Sequence, residues 1–391
     1  MSLKALHVIP TLDILAGGTS AALSGMASAQ AQAGIKVSVV ATYAEDGVET
    51  FAPFLTEQGV DVTLLGPTSG SLRRHPDLEP TLRQQIPAHD VVHVHGLWEE
   101  PLHLAFKLAR ELGRPAMLSP HGMLDRWSLE QSKLKKQIYL AWRLRKHLKH
   151  VDAFHFTTDE ERESVGRFGY PGKPMVVPLG LDLDEFDPLP DAGRFRARYP
   201  KLGDKPYALF LSRLHHKKGL ELLLPAFAQL REQHPDWRLV VAGPPENDAY
   251  LESLQALTKS LGMVEDEEMF FVGMQRGAER IEAMVDASFF VLPSYQENFG
   301  IVVAEAGAAG LPLVISEHVN LASYVESNEL GTITVQDVDQ LRQSLDQTIR
   351  RDDLADVGRR ARSTTLEHFD WKNIGRRWID VYGQLTPNPD D

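Results

Sequence analysis

Two short stretches put charge where an open α/β sheet uses it, directly behind a run of β-prone apolar residues. Behind PYALFLS comes Ser212-Arg213-Leu214-His215-His216-Lys217-Lys218-Gly219. A guanidinium and an ammonium just ahead of a helix start gather positive charge and free N–H groups at one point, which suits a diphosphate; the alternative is a solvated basic loop. Behind VLPSYQ comes Glu297-Asn298-Phe299-Gly300-Ile301-Val302-Val303-Ala304-Glu305. Glu297 falls in a loop, Phe299 and Gly300 present N–H groups at a helix start, and Glu305 lies about one turn further on. Two carboxylates flanking a helix N-terminus can bind sugar hydroxyls while the N–H groups take a phosphate, and Glu305 taken alone can equally compensate the helix macrodipole.

Two further stretches rely on glycine and histidine. Leu15-Ala16-Gly17-Gly18-Thr19 follows the first apolar run. Its glycine pair either lets backbone N–H groups approach a phosphate or makes a plain tight turn, since the full G-x-G-x-x-G spacing is absent. His121-Gly122 follows RPAMLSP, a strand-end position that favours a role at a ligand cleft. His93 and His95 are two residues apart and share a strand face, but no third ligand stands beside them in a recognisable spacing. No metal site is expected there, and His93 reads as a satisfied core or rim histidine.

The elements that must position these residues are legible as apolar runs: KALHVIP, KVSVVAT, VDVTLL, HDVVHVHG, RPAMLSPHG, DAFHFTT and PMVVPLG, then PYALFLS, WRLVVAG, MFFVG, ASFFVLP, LPLVIS and GTITV. Runs apolar at nearly every position indicate strands covered on both faces, and interleaved helices indicate parallel βαβ units, hence two doubly wound α/β halves. Leu220, Leu223, Leu224, Phe227 and Leu230 form one helical stripe. Between the two sets, DLDEFDPLPDAGRFRARYPKLGDKP is composed like a linker, which places a boundary near Asp187. Trp371, Ile374, Trp378, Ile379 and Tyr382 recur at helical spacing and make a face too apolar for water, while TPNPDD reads as a disordered tail.

Composition narrows the function classes. A net charge of −13 argues against a sequence-independent grip on nucleic acid. The absence of cysteine excludes disulfides, thiolate metal sites and a cysteine nucleophile. MSLKALHVIP lacks a signal-peptide core, and Ile14 to Ile35, uncharged but rich in Gly, Ser, Thr and Gln, reads as a packed helix instead of a membrane span; a cytoplasmic protein is expected.

Together the GG loop, His121-Gly122, VVPLGLDLDEF, SRLHHKKG, the Glu297/Glu305 E-x7-E pair and the Trp371–Tyr382 segment resemble glycosyltransferase family 4, the retaining nucleotide-sugar-dependent enzymes of GT-B fold, over nearly the whole chain. The resemblance implies two doubly wound, Rossmann-like parallel-sheet domains facing a central cleft: residues 1–186 on the acceptor side, 187–365 binding the nucleotide-sugar, and 366–391 crossing back onto the first domain. It implies that Arg213 and Lys218 hold the donor diphosphate, Glu305 the ribose, Glu297 the transferred sugar, and that Asn298, Phe299 and Gly300 complete the donor site. His121 would lie beside the sugar, Gly17 and Gly18 near the phosphate, and Gly273-Met274 at the base. The implied reaction moves a sugar from a nucleotide-diphosphate-sugar to a glycan or polyprenyl-linked acceptor in cell-surface polysaccharide synthesis, with no cofactor and no metal. Pro178-Leu179-Gly180 departs from the family's P-N-G, and Asp182-Leu183-Asp184 mimics a metal-binding D-x-D but reads as turn chemistry. Other GT-B activities, a phosphorylase or a nucleotide-sugar epimerase, and a non-catalytic sugar-binding protein are the alternatives. A pyridoxal-lysine signature is missing for a starch-type phosphorylase, and the Arg/Lys diphosphate site speaks against a mere binder.

Residues 126 to 150, RWSLEQSKLKKQIYLAWRLRKHLKH, reverse the acidic balance, with Glu130 as their single acid. Basic helices with Trp and Tyr lie on anionic membranes, whereas the plainer alternative is an apolar stripe in the core with Lys and Arg in water. Each basic side chain at such a surface contributes about 1 kcal/mol. Replacing Lys133, Lys135 and Lys136 by Glu therefore abolishes low-salt sedimentation with anionic vesicles if the stretch touches lipid, and a wild-type protein that never sediments identifies a solvated face.

Overall fold

The computed structural model describes residues 2–125, 128–129 and 144–386. The chain forms two compact units, Met1–Gly180 with Asp370–Asp391, and Leu181–Phe369. Each of the thirteen apolar runs is a strand. In unit 1 these are β1 (Lys4–Thr11), β2 (Lys36–Thr42), β3 (Asp61–Leu65), β4 (Val91–His95), β5 (Ala116–Ser119), β6 (Ala153–Phe156) and β7 (Lys173–Val176), in the order β3-β2-β1-β4-β5-β6-β7. Unit 2 contains β8 (Tyr207–Leu211), β9 (Arg238–Ala242), β10 (Met269–Gly273), β11 (Phe289–Leu292), β12 (Leu313–Ser316) and β13 (Gly331–Thr334), in the order β10-β9-β8-β11-β12-β13. Every pairing is parallel. The helices that bear on the sites are α1 (Gly18–Gln32), α2 (Glu100–Glu111), α3 (Asp159–Gly166), α4 (Leu220–Leu230), α5 (Ala278–Val285), α6 (Ile301–Ala308), α7 (Val338–Ile349) and α8 (Trp371–Gly383). All five residues of the Leu220–Leu230 stripe are buried, and α4 packs on α7.

The two faces of the unit 1 sheet differ in kind. On one, Leu6, Val8, Val92, Val94, Leu118, Phe154 and Phe156 join Leu102, Ala105 and Phe106 of α2 in a continuous apolar core. On the other, the alternate strand positions bring His7, His93, His95, Ser119 and His155 together, all fully or almost fully buried. That polar face is covered by α1 and α8, which supply Gln30, Trp378 and Tyr382 to it. α8 thus docks Ile374, Trp378 and Tyr382 on unit 1, whereas Ile379, expected on the same face, is exposed. The approach is close: a Cβ on Gly375 would stand 2.4 Å from the Ala29 carbonyl oxygen, and one on Gly25 would meet the Trp371 ring at 2.7 Å.

The segment read as a linker is a folded part of unit 2. Phe186, Phe195 and Leu202 are fully buried, and the Leu181 N–H donates to the Phe369 carbonyl at 2.6 Å. The Arg196 guanidinium donates to the carbonyls of Gly203 and Lys205, and the Asp286 carboxylate accepts the Gly193 and Arg196 N–H groups. The chain therefore crosses between units at Gly180–Leu181 and again at Phe369–Asp370, not near Asp187. Sparse apolar residues misled the composition argument because three of them, Phe186, Phe195 and Leu202, are completely buried. Most of the basic stretch 126–150, including Lys133, Lys135 and Lys136, lies outside the described residues, as do residues 387–391 of the tail. Its C-terminal end packs into unit 1 through Leu144 and Leu148. Among the described residues no helix is long and apolar enough to cross a membrane.

Gly375 offers a test of the α1–α8 contact. On an isolated helix Gly→Ala gains about 1 kcal/mol from propensity. Here the added methyl meets a backbone carbonyl that no rotamer change can move, and overpacking of this kind costs about 1–3 kcal/mol. Gly375→Ala is expected to destabilise the protein by about 1 kcal/mol net, read as a lower denaturation midpoint with an unchanged slope.

Candidate active site

In unit 2 the two charged loops meet. β8 runs into Ser212-Arg213, a short 3-10 turn covers His216–Lys218, and α4 starts at Gly219. Gly219 is obligatory: its φ is +74°, and a Cβ there would stand 2.1 Å from the Pro293 carbonyl oxygen just past β11. This close approach seats the first loop on the second. The Lys218 ammonium is ion-paired with the Glu297 carboxylate, both largely buried, and the Tyr295 N–H donates to the Lys217 carbonyl at 2.8 Å. Glu297 is held through its own backbone as well, its N–H donating to His318 and its carbonyl accepting from Asn320. Lys218 and Glu297 were assigned to different parts of a ligand, and the structure joins them. An ammonium has three donors, so its pairing with Glu297 leaves others for a phosphate. Arg213 is exposed and has no ion-pair partner among the described residues.

Gly300, at φ +77°, caps α6, and Phe299 before it is buried against Phe369. Asn298 sits half-buried between Glu297 and this cap. Glu305 lies beyond the first turn of α6, which removes the simple macrodipole reading. Its Oε1 accepts from the Arg280 Nε of α5 at 3.3 Å, and Arg280 also pairs with Glu185. Burial pushes the Glu305 carboxyl up, against the pull of Arg280. Met274, 43% exposed, follows β10 at the same sheet edge. Asp182 spends a side-chain oxygen on the Asp184 N–H, capping a short turn.

In unit 1 Gly17 (φ +103°) leads into α1 with Gly18 as its first residue, so the glycine pair sits at a helix N-terminus behind β1. His121, behind β5, has a φ of +51°, unusual for a residue with a side chain, and Gly122 follows at +72°. Side-chain contacts hold this turn. His95 Nδ1 lies 3.1 Å from His121 Nε2, and the Gly122 N–H donates to Glu161 Oε1 at 2.8 Å. Glu161, fully buried on α3, also accepts from the Thr157 N–H and hydroxyl. Sequence reasoning missed Glu161. Thr158-x-x-Glu161 is a capping-box pattern, and Thr158 does cap α3, but the carboxylate is directed to Thr157 and Gly122.

The expectation that no histidine cluster reaches metal-ligand spacing needs correction. His7, which no short motif pairs with His93 and His95, completes a buried triplet, and His215, His216 and Glu246 form a second, more exposed one. In the first, His93 and His95 are stacked at 4.3 Å and every ring nitrogen already faces a partner, so the lone pairs do not converge on a point. In the second, His215 Nδ1 accepts the Lys217 N–H, and the positive charges of Arg213 and Lys217 act on the ring.

Two all-parallel α/β units with these strand orders are the GT-B architecture of glycosyltransferases. Residues 191–364 match the glycosyl transferases group 1 family and residues 17–180 the glycosyl transferase 4-like domain. The chain belongs to the group 1 glycosyltransferases. It is 31% identical over 333 residues to a GDP-mannose-dependent alpha-(1-6)-phosphatidylinositol monomannoside mannosyltransferase of Mycolicibacterium smegmatis, covering 79% of this chain and 82% of the relative. It is 26% identical to a GDP-mannose:cellobiosyl-diphosphopolyprenol alpha-mannosyltransferase of Xanthomonas oryzae, covering 84% and 82%. Anabaena HepE, solved with UDP and glucose, shares the fold at a TM-score of 0.77 and 18% identity, over 98% of this chain and all of that one.

Burial lowers the pKa of His7 and His121 to about 4 and of His155 to about 3, with His93 and His95 also well below the usual value. Glu161 moves the other way, pushed by burial to about 7. A base depressed in the folded state contributes stability above its unfolded pKa of 6.5 that is lost as pH falls; a raised carboxyl gains stability over the same descent. Five imidazoles outweigh one carboxyl. Unit 1 is therefore expected to lose stability between pH 6.5 and pH 4, by about 1.4 kcal/mol per pH unit for each ring that stays neutral. Denaturant unfolding across that range checks it. Glu161→Gln should steepen the loss, and a flat profile contradicts the assignment.

Proposed function

We propose that the protein transfers mannose from GDP-mannose, with retention of configuration, to a lipid-linked acceptor in the assembly of a cell-surface glycan, at the cytoplasmic face of the membrane. The observation that supports this reading is the ion pair of Lys218 with Glu297 at the sheet edge of unit 2, an ammonium suited to a diphosphate beside a carboxylate able to accept from sugar hydroxyls. The donor and the lipid-linked acceptor are supported by the names of the mycobacterial and Xanthomonas relatives.

In this reading Arg213 and Lys218 neutralise the leaving diphosphate, and the N–H groups at Phe299-Gly300 and the start of α6 complete its cradle. Glu297 and Asn298 orient the sugar, Glu305 takes the ribose hydroxyls and Met274 lies at the base. In unit 1 His121 accepts a sugar hydroxyl and the Gly17-Gly18 N–H groups approach phosphate. The acceptor hydroxyl forms its bond to the anomeric carbon on the face from which the phosphate oxygen departs, and its proton passes to that oxygen. The protein's own cations carry the charge of the leaving group, so no divalent metal is required. The basic stretch 126–150 holds the enzyme on anionic lipid.

The test is a transfer assay with GDP-mannose and a polyprenyl-linked acceptor in excess EDTA, the product anomer being read by NMR. An α-mannoside is expected, with Arg213→Ala losing about 3 kcal/mol of transition-state stabilisation, by analogy with removal of one oxyanion donor. An inverted product, or activity that vanishes in EDTA and returns with Mg²⁺, overturns the mechanism; turnover of UDP-sugars alone overturns the donor.

A further inference from the structure

The buried polar face of unit 1 holds a single continuous hydrogen-bond chain. It starts at the Val177 carbonyl, 2.8 Å from His155 Nε2, and passes from His155 Nδ1 to Ser119 Oγ at 2.6 Å. Ser119 Oγ lies 2.6 Å from His93 Nε2, and His93 Nδ1 lies 2.8 Å from the Tyr382 hydroxyl. Gln30 bridges onward, Nε2 to Tyr382 at 3.0 Å and Oε1 to His7 Nε2 at 2.8 Å. His7 Nδ1 meets His95 Nε2 at 2.8 Å, and His95 Nδ1 meets His121 Nε2 at 3.1 Å.

The direction of every bond follows from the first. A carbonyl only accepts, so His155 carries its proton on Nε2, and in a neutral ring Nδ1 is then an acceptor. Ser119 must donate to that Nδ1, which uses its one hydrogen, so His93 donates to Ser119 from Nε2. His93 Nδ1 then accepts from the Tyr382 hydroxyl, whose oxygen accepts from the Gln30 amide N–H. The Gln30 carbonyl oxygen accepts from His7 Nε2–H, His7 Nδ1 accepts from His95 Nε2–H, and His95 Nδ1 accepts from His121 Nε2–H. Reversing any one bond leaves two donors or two acceptors face to face, or requires a charged ring, in a place where both are heavily penalised.

We infer that this chain fixes His121 as the neutral Nε2–H tautomer, so that its Nδ1 is an obligatory acceptor for a ligand hydroxyl. Among the described residues no hydrogen bond reaches His121 Nδ1, and the ring stands at the C-terminal edge of β5, where ligands of such sheets bind. His7, Gln30, His93, His95, Ser119, His155 and Tyr382 are positioning residues acting through His121. The chain ends in a carbonyl that cannot take up a proton, so it orients and does not conduct. That the ligand is a sugar hydroxyl rests on the function proposed above; the tautomer does not.

The test is nitrogen-detected imidazole NMR on the ligand-free protein at neutral pH, with His121 assigned by the loss of its signals in His121→Gln. His121 is expected to show a pyridine-type Nδ1 and a pyrrole-type Nε2. In Tyr382→Phe the Gln30 amide loses its acceptor and is free to flip, so both His121 nitrogens move toward averaged shifts, while His155, still anchored on Val177, keeps its wild-type pattern. A His121 proton on Nδ1 in the wild type overturns the proposal at once. So does a Tyr382→Phe spectrum in which His121 is unchanged while His155 reports an intact fold. Because no donor is present, failure here is distinct from failure of the transferase assignment.

Discussion

Four imidazoles, those of His7, His93, His95 and His155, can share one buried sheet face only if none of them is charged and every nitrogen is matched, donor against acceptor. That constraint reaches well beyond the histidines. It requires a carbonyl terminus at Val177, a hydroxyl at Ser119, an amide at Gln30 and a phenol at Tyr382, and so ties the strands of unit 1 to both helices that cover them. An apolar replacement at one link would strand its neighbours on both sides, each at the cost of a buried unsatisfied group, about 1–3 kcal/mol. The small residues of α1 and the glycine at 375 serve the same end, since the amide of Gln30 and the phenol of Tyr382 meet only because the two helix backbones come close.

Unit 2 is organised by a different economy. The strands at the centre of its sheet, β8 and β11, are fully apolar or aromatic, as expected for parallel sheets covered by helices, and the charges of the candidate site stand behind the strands and on α5 and α6. Order there comes from backbone proximity: Gly219 against Pro293 and Gly243, whose Cβ would stand 1.8 Å from the Ser212 carbonyl oxygen. These contacts press the loops behind β8, β9 and β11 together, and charge pairs form across the junction. Rigid backbone seats the charges, whereas in unit 1 hydrogen bonds seat a ring.

The strands were legible because parallel strands buried on both sides are short apolar runs bounded by Gly and Pro, and all thirteen appear where such runs stand. Loops behind strands were legible for the same reason. What composition concealed were features with long sequence separation. His7 and His93 are register partners on adjacent strands, and only the parallel pairing of β1 with β4 brings them side by side. Glu161 went unread because its nearer bonds are local to a helix start, while its bond to Gly122 spans 39 residues. Arg280, the partner of Glu305, lies on a helix that carries no motif at all. The folded segment after Leu181 was concealed by its composition, in which a few fully buried aromatics stand among many prolines and acids.

Three carboxylates near the two sheet edges show how one functional group is set to different tasks. Glu297 faces an ammonium in a loop, where its carboxylate oxygens can also accept from hydroxyls. Glu305 is buried beside a guanidinium that also serves Glu185, so burial and charge oppose each other and the carboxyl ends up raised. Glu161 has no cation partner among the described residues; three N–H and O–H donors compete with burial and with nearby Asp125, and burial wins. Only Glu161 is bound chiefly to backbone, and its bond to Gly122 fixes a residue whose neighbour, His121, is in a backbone region that a side chain resists. A carboxyl that titrates near neutrality therefore braces the turn from below while the imidazole chain orients the ring from the side, and the two devices meet at His121 without sharing an atom.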